Sequence, residues 1–205
     1  NFRKPLVIMT PKSLLRHKRC VSTLAAMGPG SSFHRVLWDD ADTSSRLDGE
    51  ISHSTTVLKP DNEIRRVVLC TGKVYFDLFE ERAQRGTKDV YLLRVEQLYP
   101  FPHSALVEEL KRFKNAEIMW CQEEPKNMGA WSFILEPMMA VMEELKLKQA
   151  KPSYAGRAAA AAPATGSANK HKVELDAFMN DALTVQAPPR AKIKPPAKAP
   201  AKAKK

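Results

Sequence analysis

Cysteine is scarce in this sequence, and its three copies, Cys20, Cys70 and Cys121, stand far apart. None belongs to a Cys-x-x-Cys pair or has a histidine at metal-site spacing, so neither a disulfide framework nor a zinc site is indicated. An odd number of isolated cysteines is typical of a reducing compartment. The stability of the fold must therefore come from a hydrophobic core.

Long apolar runs are also missing. No uninterrupted apolar segment approaches the roughly 20 residues that span a bilayer, and no charged-then-apolar leader stands at the amino end. We therefore expect a soluble protein that does not enter membranes, with any targeting signal lying upstream. The chain begins at Asn1 without an initiator Met, which favours a segment cut from a longer protein.

Acidic residues are absent from residues 187–205, which carry seven Lys or Arg residues spaced by Pro and Ala. Without this stretch the formal net charge of the chain falls from +10 to +3. The stretch holds no aromatic residue to stack on a base, so it can attract polyanions without reading a sequence. We expect a solvated, disordered tail over residues 186–205, with a nucleic-acid arm as the alternative.

Short apolar runs alternate with segments of helical periodicity along most of the chain. Repeated alternation of strand and helix predicts an α/β fold with a mainly parallel open sheet and helices on both faces. The stretch 39–62 is predicted to be loop, and 158–166 a linker. The predicted strands are 5–9, 66–70, 89–95, 116–121 and an edge strand at 153–157. The predicted helices are 12–16, 74–85, 103–113, 131–148 and 170–183. The fourth helix is either kinked at Pro137 or begins there.

Polar residues follow three of the predicted strands: Thr10, then residues 71–73, then residues 122–124. Ligands of open parallel sheets bind beyond the carboxyl ends of the strands, so this crevice is the candidate site. Lys73 stands at a helix amino terminus, where free N–H groups and the helix dipole favour an anion, and Gly72 leaves room for a phosphate. The turn lacks the leading glycine and the following hydroxyl of a P-loop, so nucleoside-triphosphate hydrolysis is not expected.

The other polar clusters leave alternatives open. Arg16 opens a basic run that either meets phosphates or forms a solvated face. Glu123 and Glu124 are adjacent and point apart on a strand, which argues against a shared-proton dyad. The loop 125–129 has the composition of a contact surface, with burial inside the domain as the equal alternative. The five histidines fall in five different elements, and we assign no catalytic role to any of them.

Several blocks together resemble one family, the carboxy-terminal region of the first component of 2-oxoglutarate dehydrogenase. They occur in the family's order and span nearly the whole chain up to about residue 185. The blocks are residues 5–18 (PLVIMTPKSLLRHK), 70–78 (CTGKVYFDL), 94–102 (RVEQLYPFP), 120–131 (WCQEEPKNMGAW) and 154–166 (YAGRAAAAAPATG).

The resemblance implies a parent enzyme that oxidatively decarboxylates 2-oxoglutarate on thiamine diphosphate and transfers the succinyl group to a lipoyl arm, within the citric acid cycle. It implies a transketolase carboxy-terminal-like domain over residues 1–185, with residues 1–40 including the junction to an upstream pyrimidine-binding domain. The family's Gly-Asp-Gly motif is absent here, so thiamine diphosphate and Mg²⁺ are expected in upstream domains. No catalytic, cofactor-binding or metal-binding residue is expected in this segment, which alone should be inactive.

The resemblance also implies partners. We expect a homodimer that works with the dihydrolipoyl succinyltransferase and dihydrolipoyl dehydrogenase components, in a bacterial cytoplasm or a mitochondrial matrix, without specific nucleic-acid binding. Because some family members bind acetyl-CoA or AMP, the crevice is a candidate effector site. Its expected residues are Thr10, Arg16, Lys73, Gln122 and Arg157.

Two other classes of function compete with this interpretation. The first is a free-standing nucleotide- or CoA-binding regulatory protein that uses the same crevice without thiamine chemistry. The second is a basic nucleic-acid-associated protein that acts through the tail, which predicts salt-dependent binding that disappears when residues 187–205 are deleted.

Overall fold

The computed structural model of the chain describes residues 2–43 and 54–185. Within these residues one sheet of five strands has the order β1-β3-β2-β4-β5. The strands are β1 (Val36–Leu37), β2 (Arg66–Cys70), β3 (Val90–Val95), β4 (Glu117–Pro125) and β5 (Ser153–Arg157). The α-helices are α1 (Val74–Arg85), α2 (His103–Leu110), α3 (Trp131–Glu144) and α4 (Ala168–Leu183).

The sheet is parallel except at one edge. Strand β2 pairs in parallel with β3 and β4, and β4 pairs in parallel with β5, whereas the short strand β1 runs antiparallel to β3. Every residue of β2 is buried, as expected for a central parallel strand that is covered on both faces. The predicted α/β class, with a mainly parallel open sheet, is therefore confirmed.

Helices cover both faces of the sheet. Alternate residues of β2 face opposite sides, so Val67 and Leu69 join one core with α2 and α3, while Val68 and Cys70 join a second core with α1 and α4. Burial on two faces makes the strands almost continuously apolar, which is the pattern that predicted them. None of the helices in the described ranges is long and apolar enough to cross a membrane.

Two helix boundaries follow from local chemistry. Helix α1 ends where Gly86 takes a left-handed conformation with φ of 63°, and the N–H groups of Gly86 and Thr87 return to carbonyls of the last turn. Helix α3 begins at Trp131 and contains Pro137 within its length. Of the two predicted alternatives, the one in which the helix begins at Pro137 is therefore wrong. Pro137 has no N–H to donate to the carbonyl of Phe133.

The predicted strand over residues 5–9 is wrong. These residues form no strand, and Leu6, Val7, Ile8 and Met9 are 73–90% exposed. An apolar run becomes a strand only where another strand offers hydrogen-bond partners, and none does so within the described ranges. The helix predicted next is a 3₁₀ helix, Lys12–Arg16.

The stretch 39–62, predicted to be polar loop, contains buried charge. Asp39 and Asp42 are only 2% and 7% exposed, and a short 3₁₀ helix, Asp61–Glu63, closes the stretch. Part of this prediction, residues 44–53, lies outside the described residues, as does the tail predicted over 186–205.

Candidate functional site

The turn between β2 and α1 holds the first predicted site residue, Lys73. Gly72 has a φ of 66°, a conformation that costs glycine little, and it leads directly into the helix. The Lys73 Nζ atom lies 2.6 Å from Oδ2 of Asp77 and 3.4 Å from Oε2 of Glu123. An anion approaching this helix terminus therefore competes with two carboxylates for the same ammonium group.

These carboxylates also set the protonation of Lys73. Partial burial lowers the pKa of Lys73, but the hydrogen bond and charge of Asp77, together with Glu123, outweigh burial and raise the pKa above its ordinary value. Lys73 is therefore a cation throughout the physiological pH range. It also joins the first turn of α1 to the end of β4.

Gln122, the second predicted residue, faces the opposite side of the sheet from Lys73. Its side chain is buried with Trp120, on the face that α2 and α3 cover. Nε2 of Gln122 donates to the carbonyls of Glu124, Pro125 and Met128, the last at 2.7 Å, and Oε1 accepts from the backbone N–H of Trp131 at 2.9 Å. Gln122 therefore fixes the loop 125–129 and the start of α3.

The loop that Gln122 holds is tightly packed on both sides. The Trp131 and Tyr154 rings lie 5.0 Å apart, and the side chain of Asn127 exchanges two hydrogen bonds of 3.0 Å with the backbone of Ala160. A Cβ atom on Gly156 would lie 2.4 Å from the Tyr154 hydroxyl. Trp131 itself is only partly buried, so the loop presents surface as well as core.

Arg157, at the end of β5, anchors the following linker and α4. Its Nε atom lies 2.8 Å from Oε2 of Glu174, and one terminal nitrogen donates to the carbonyl of Pro163 at 3.0 Å. The Thr165 hydroxyl donates to the same carboxylate at 2.7 Å. The hydrogen bond from Thr165, followed by the contact with Arg157, lowers the pKa of Glu174.

Thr10 and Arg16 lie in the amino-terminal segment and are exposed. No hydrogen bond or ion pair within residues 2–43 and 54–185 joins either of them to the other three predicted residues. The segment itself rests on α1, because the His17 ring lies 5.2 Å from the Phe76 ring and the Arg19 guanidinium lies 4.8 Å from the Phe79 ring centre. Arg16 is the exposed residue directly before His17 in this segment.

Arg94 is a cation at the carboxyl end of β3 that the sequence interpretation missed. It pairs across the sheet with Cys70, and its guanidinium lies 4.3 Å from the centre of the Tyr75 ring. Among residues 2–43 and 54–185, its buried Nε atom has no hydrogen-bond partner, and the nearest carboxylate to the guanidinium is Glu96 at 3.8 Å. The strand-end rule, applied to the predicted strand 89–95 as well, would have found it.

The two sheet cysteines carry no nucleophilic chemistry. Cys70 and Cys121 are fully buried, and burial raises the pKa of both thiols well above the ordinary value. A reactive cysteine needs thiolate character and access. Both thiols are therefore core residues.

A comparison with protein families identifies the chain. The model of the family described as 2-oxoglutarate dehydrogenase C-terminal matches residues 21–183. The chain belongs to this family. Three relatives, each named 2-oxoglutarate dehydrogenase E1 component, come from Brucella ovis, Brucella canis and Brucella abortus strain S19, and each is 60% identical over 183 residues. The matches cover 89% of this chain but only 18% of each relative.

Membership of the 2-oxoglutarate dehydrogenase C-terminal family confirms the resemblance found in the sequence blocks. The cofactor that the resemblance implies, thiamine diphosphate with Mg²⁺, does not fit the residues of this segment. The described part of the chain has no group of three or more His, Cys, Asp or Glu side chains that could hold a metal ion, and the sequence has no Gly-Asp-Gly.

Proposed function

We propose that this chain is the carboxy-terminal segment of the E1 component of a 2-oxoglutarate dehydrogenase. The complete enzyme decarboxylates 2-oxoglutarate on thiamine diphosphate, bound by upstream domains, and transfers the succinyl group to the lipoyl group of dihydrolipoyl succinyltransferase. It works with dihydrolipoyl dehydrogenase in the citric acid cycle, in a bacterial cytoplasm or a mitochondrial matrix. The observation that carries this proposal is the 60% identity over 183 residues to relatives of that name.

The segment's own role in this proposal is assembly. Phe2, Leu6, Val7, Ile8 and Met9 expose between 73% and 90% of their surface, and soluble proteins rarely leave a contiguous apolar strip open to water. We propose that this strip packs against the upstream pyrimidine-binding domain and supports the homodimer. The isolated segment, without catalytic groups of its own, would then be inactive.

We also propose that the crevice at the carboxyl ends of β2 and β4 binds an anionic effector, acetyl-CoA or AMP. Support comes from Lys73, the N-cap residue of α1, which directly follows Gly72 with its positive φ. Thr10 and Arg16 would add contacts from the amino-terminal segment. Gln122 and Arg157 would act through the loop and the linker that they hold.

An immunoblot of native cell extract tests the first proposal. Antibody raised against this chain is used on fractions separated by size, and the same fractions are assayed for NAD reduction that depends on 2-oxoglutarate. The proposal expects a band far larger than 23.0 kDa that co-elutes with the activity in a very large assembly. A free band near that mass, away from the activity, would favour the regulatory-protein alternative instead.

Calorimetry tests the effector proposal. Acetyl-CoA and AMP are titrated into the dimer that contains the upstream domains, in the wild type, in Lys73→Ala and in a control, Lys148→Ala, at an exposed lysine after α3. Loss of one charged hydrogen-bond donor should weaken binding about tenfold, and the control should not. Absence of binding to the wild type, or equal affinities in all three proteins, would reject this site.

A further inference from the structure

A second candidate site lies at the amino ends of the central strands, opposite the strand ends beside Lys73. A surface cleft of about 430 Å³ opens where β2 and β3 begin and where α1 and α4 end. Its lining is strongly basic, with Asp89 as its acidic member. The basic lining residues are Lys59, Arg65, Arg85 and Lys88.

The carboxylates in or beside this cleft do not balance its cations. Asp89 lies 2.8 Å from Nε of Arg65 and 3.8 Å from Nζ of Lys59, and Glu81 lies 2.7 Å from Nε of Arg85. Two carboxylates therefore face four cations. Across the part of the chain that the structure describes, Lys88 forms no ion pair and the terminal nitrogens of Arg65 form no hydrogen bond.

The cations of this cleft are not all needed to cap the carboxyl ends of α1 and α4. The carbonyls at the end of α4 already accept hydrogen bonds from Arg66, at 2.7 Å for Asp181 and 2.9 Å for Ala182. Arg85 stands in the last turn of α1, where a cation is favourable. Lys59, Arg65 and Lys88 remain with Asp89 as their one carboxylate, so an excess of positive charge stays in the cleft.

The geometry favours carboxylates over phosphate. Many phosphate sites combine cations with free backbone N–H groups at helix amino termini or in nests, but this cleft meets the carboxyl ends of two helices. The N–H groups of Gly86 and Thr87 are already bonded to α1. Separate cations beside the apolar lining residues Leu183 and Val185 suit several acidic side chains interspersed with aliphatic ones.

We propose that this cleft binds an acidic segment of a partner protein. The chain's own tail cannot be that segment, because residues 187–205 contain no acidic residue. The proposal is independent of the effector crevice, which lies at the carboxyl ends of the strands. The cleft thus gives this domain a docking surface that binds negatively charged segments.

The test is fluorescence anisotropy with the full chain and a labelled peptide, Glu-Glu-Val-Glu-Glu, at low salt. The cleft variant is Lys59→Glu with Lys88→Glu. Its control, with equal charge change, is Lys114→Glu with Lys148→Glu, two exposed lysines outside the cleft.

All variants keep the basic tail, so any binding of the peptide to the tail is the same in all of them. Circular dichroism melts verify that each variant folds. Lys88→Ala, a mild change at an exposed side chain, serves if the double reversal does not fold.

The proposal expects the cleft variant to bind the peptide about tenfold more weakly than the control, because attraction is replaced by repulsion, and Lys88→Ala to bind a few-fold more weakly. Added salt should reduce the difference. Equal weakening by cleft and control variants would assign binding to overall charge and overturn the proposal. No binding to the wild type, or displacement of the peptide by inorganic phosphate at lower concentration than by unlabelled peptide, would overturn it too.

Discussion

Asp39 and Arg82 form a bidentate ion pair in the interior, with both side chains fully buried. The second of its two contacts, from a terminal nitrogen of Arg82 to Oδ1 of Asp39, is 2.7 Å long. Asp39 also accepts the backbone N–H of Leu92 at 2.7 Å. The ion pair holds the segment that follows β1 against α1 and β3, at the edge of the sheet that β1 forms.

Replacing Asp39 tests how much this ion pair stabilises the fold. Asp39→Ala leaves the guanidinium of Arg82 buried without its counter-charge, and we expect the free energy of unfolding to fall by about 3–5 kcal/mol. The measurement is urea denaturation followed by circular dichroism. The control is Glu108→Gln, which removes an exposed partner of Lys111 and should cost about 0.5 kcal/mol or less. Equal losses in both variants would contradict a special role for the buried pair.

Gln122 should matter for the loop that it holds. Gln122→Leu keeps the volume but leaves buried groups unpaired, among them the indole N–H of Trp120 and the N–H of Trp131. We expect a loss of about 3 kcal/mol in the free energy of unfolding and faster proteolysis within residues 125–129. Glu124→Gln, at an exposed neighbour, is the control. Unchanged proteolysis of the loop would show that Gln122 does not position it.

The contact of Glu174 with Thr165 and Arg157 should make the docking of α4 sensitive to acid. The pKa of Glu174 is lowered in the folded protein from an ordinary value of 4.5, so its contribution is present above that pH and is lost as pH falls through the folded-state pKa. The stability difference between wild type and Glu174→Gln should therefore be present at pH 7 and shrink as the pH falls below 4.5. Asp176→Asn, at an exposed residue of the same helix, should not show this change. A difference that is constant with pH would be evidence against the contact.

The cysteines should differ sharply in reactivity. Cys20 is exposed, whereas Cys70 and Cys121 are buried in the sheet, and burial raises the pKa of both buried thiols. A thiol reagent should label one cysteine in the native protein and all three after denaturation. In Cys20→Ser, native labelling should vanish. Rapid native labelling of that variant would mean that the sheet opens readily.

Local features of the structure could be predicted from the sequence. The run 66–70 and the helical spacing up to Gly86 predicted β2 and α1, because apolar periodicity and a glycine stop are encoded within a few residues. The α/β class followed from the alternation of such segments, and the family resemblance followed from short sequence blocks.

Features that depend on distant residues could not be predicted. The run 5–9 carries the composition of a strand, but composition does not reveal whether a neighbouring strand exists. The turn at Lys73 was located, yet its ion pair with Glu123, 50 residues later, depends on how two strands lie side by side. Asp39 was assigned to a polar loop for the same reason, since its partner Arg82 is 43 residues away.

Immunodepletion tests the central claim most directly. Antibody raised against this chain is added to native extract, the precipitate is removed, and NAD reduction that depends on 2-oxoglutarate is measured in the supernatant. Our account predicts that the activity is lost from the supernatant, with a captured polypeptide far larger than 23.0 kDa. Activity that stays in the supernatant while a polypeptide near that mass is captured would contradict the account.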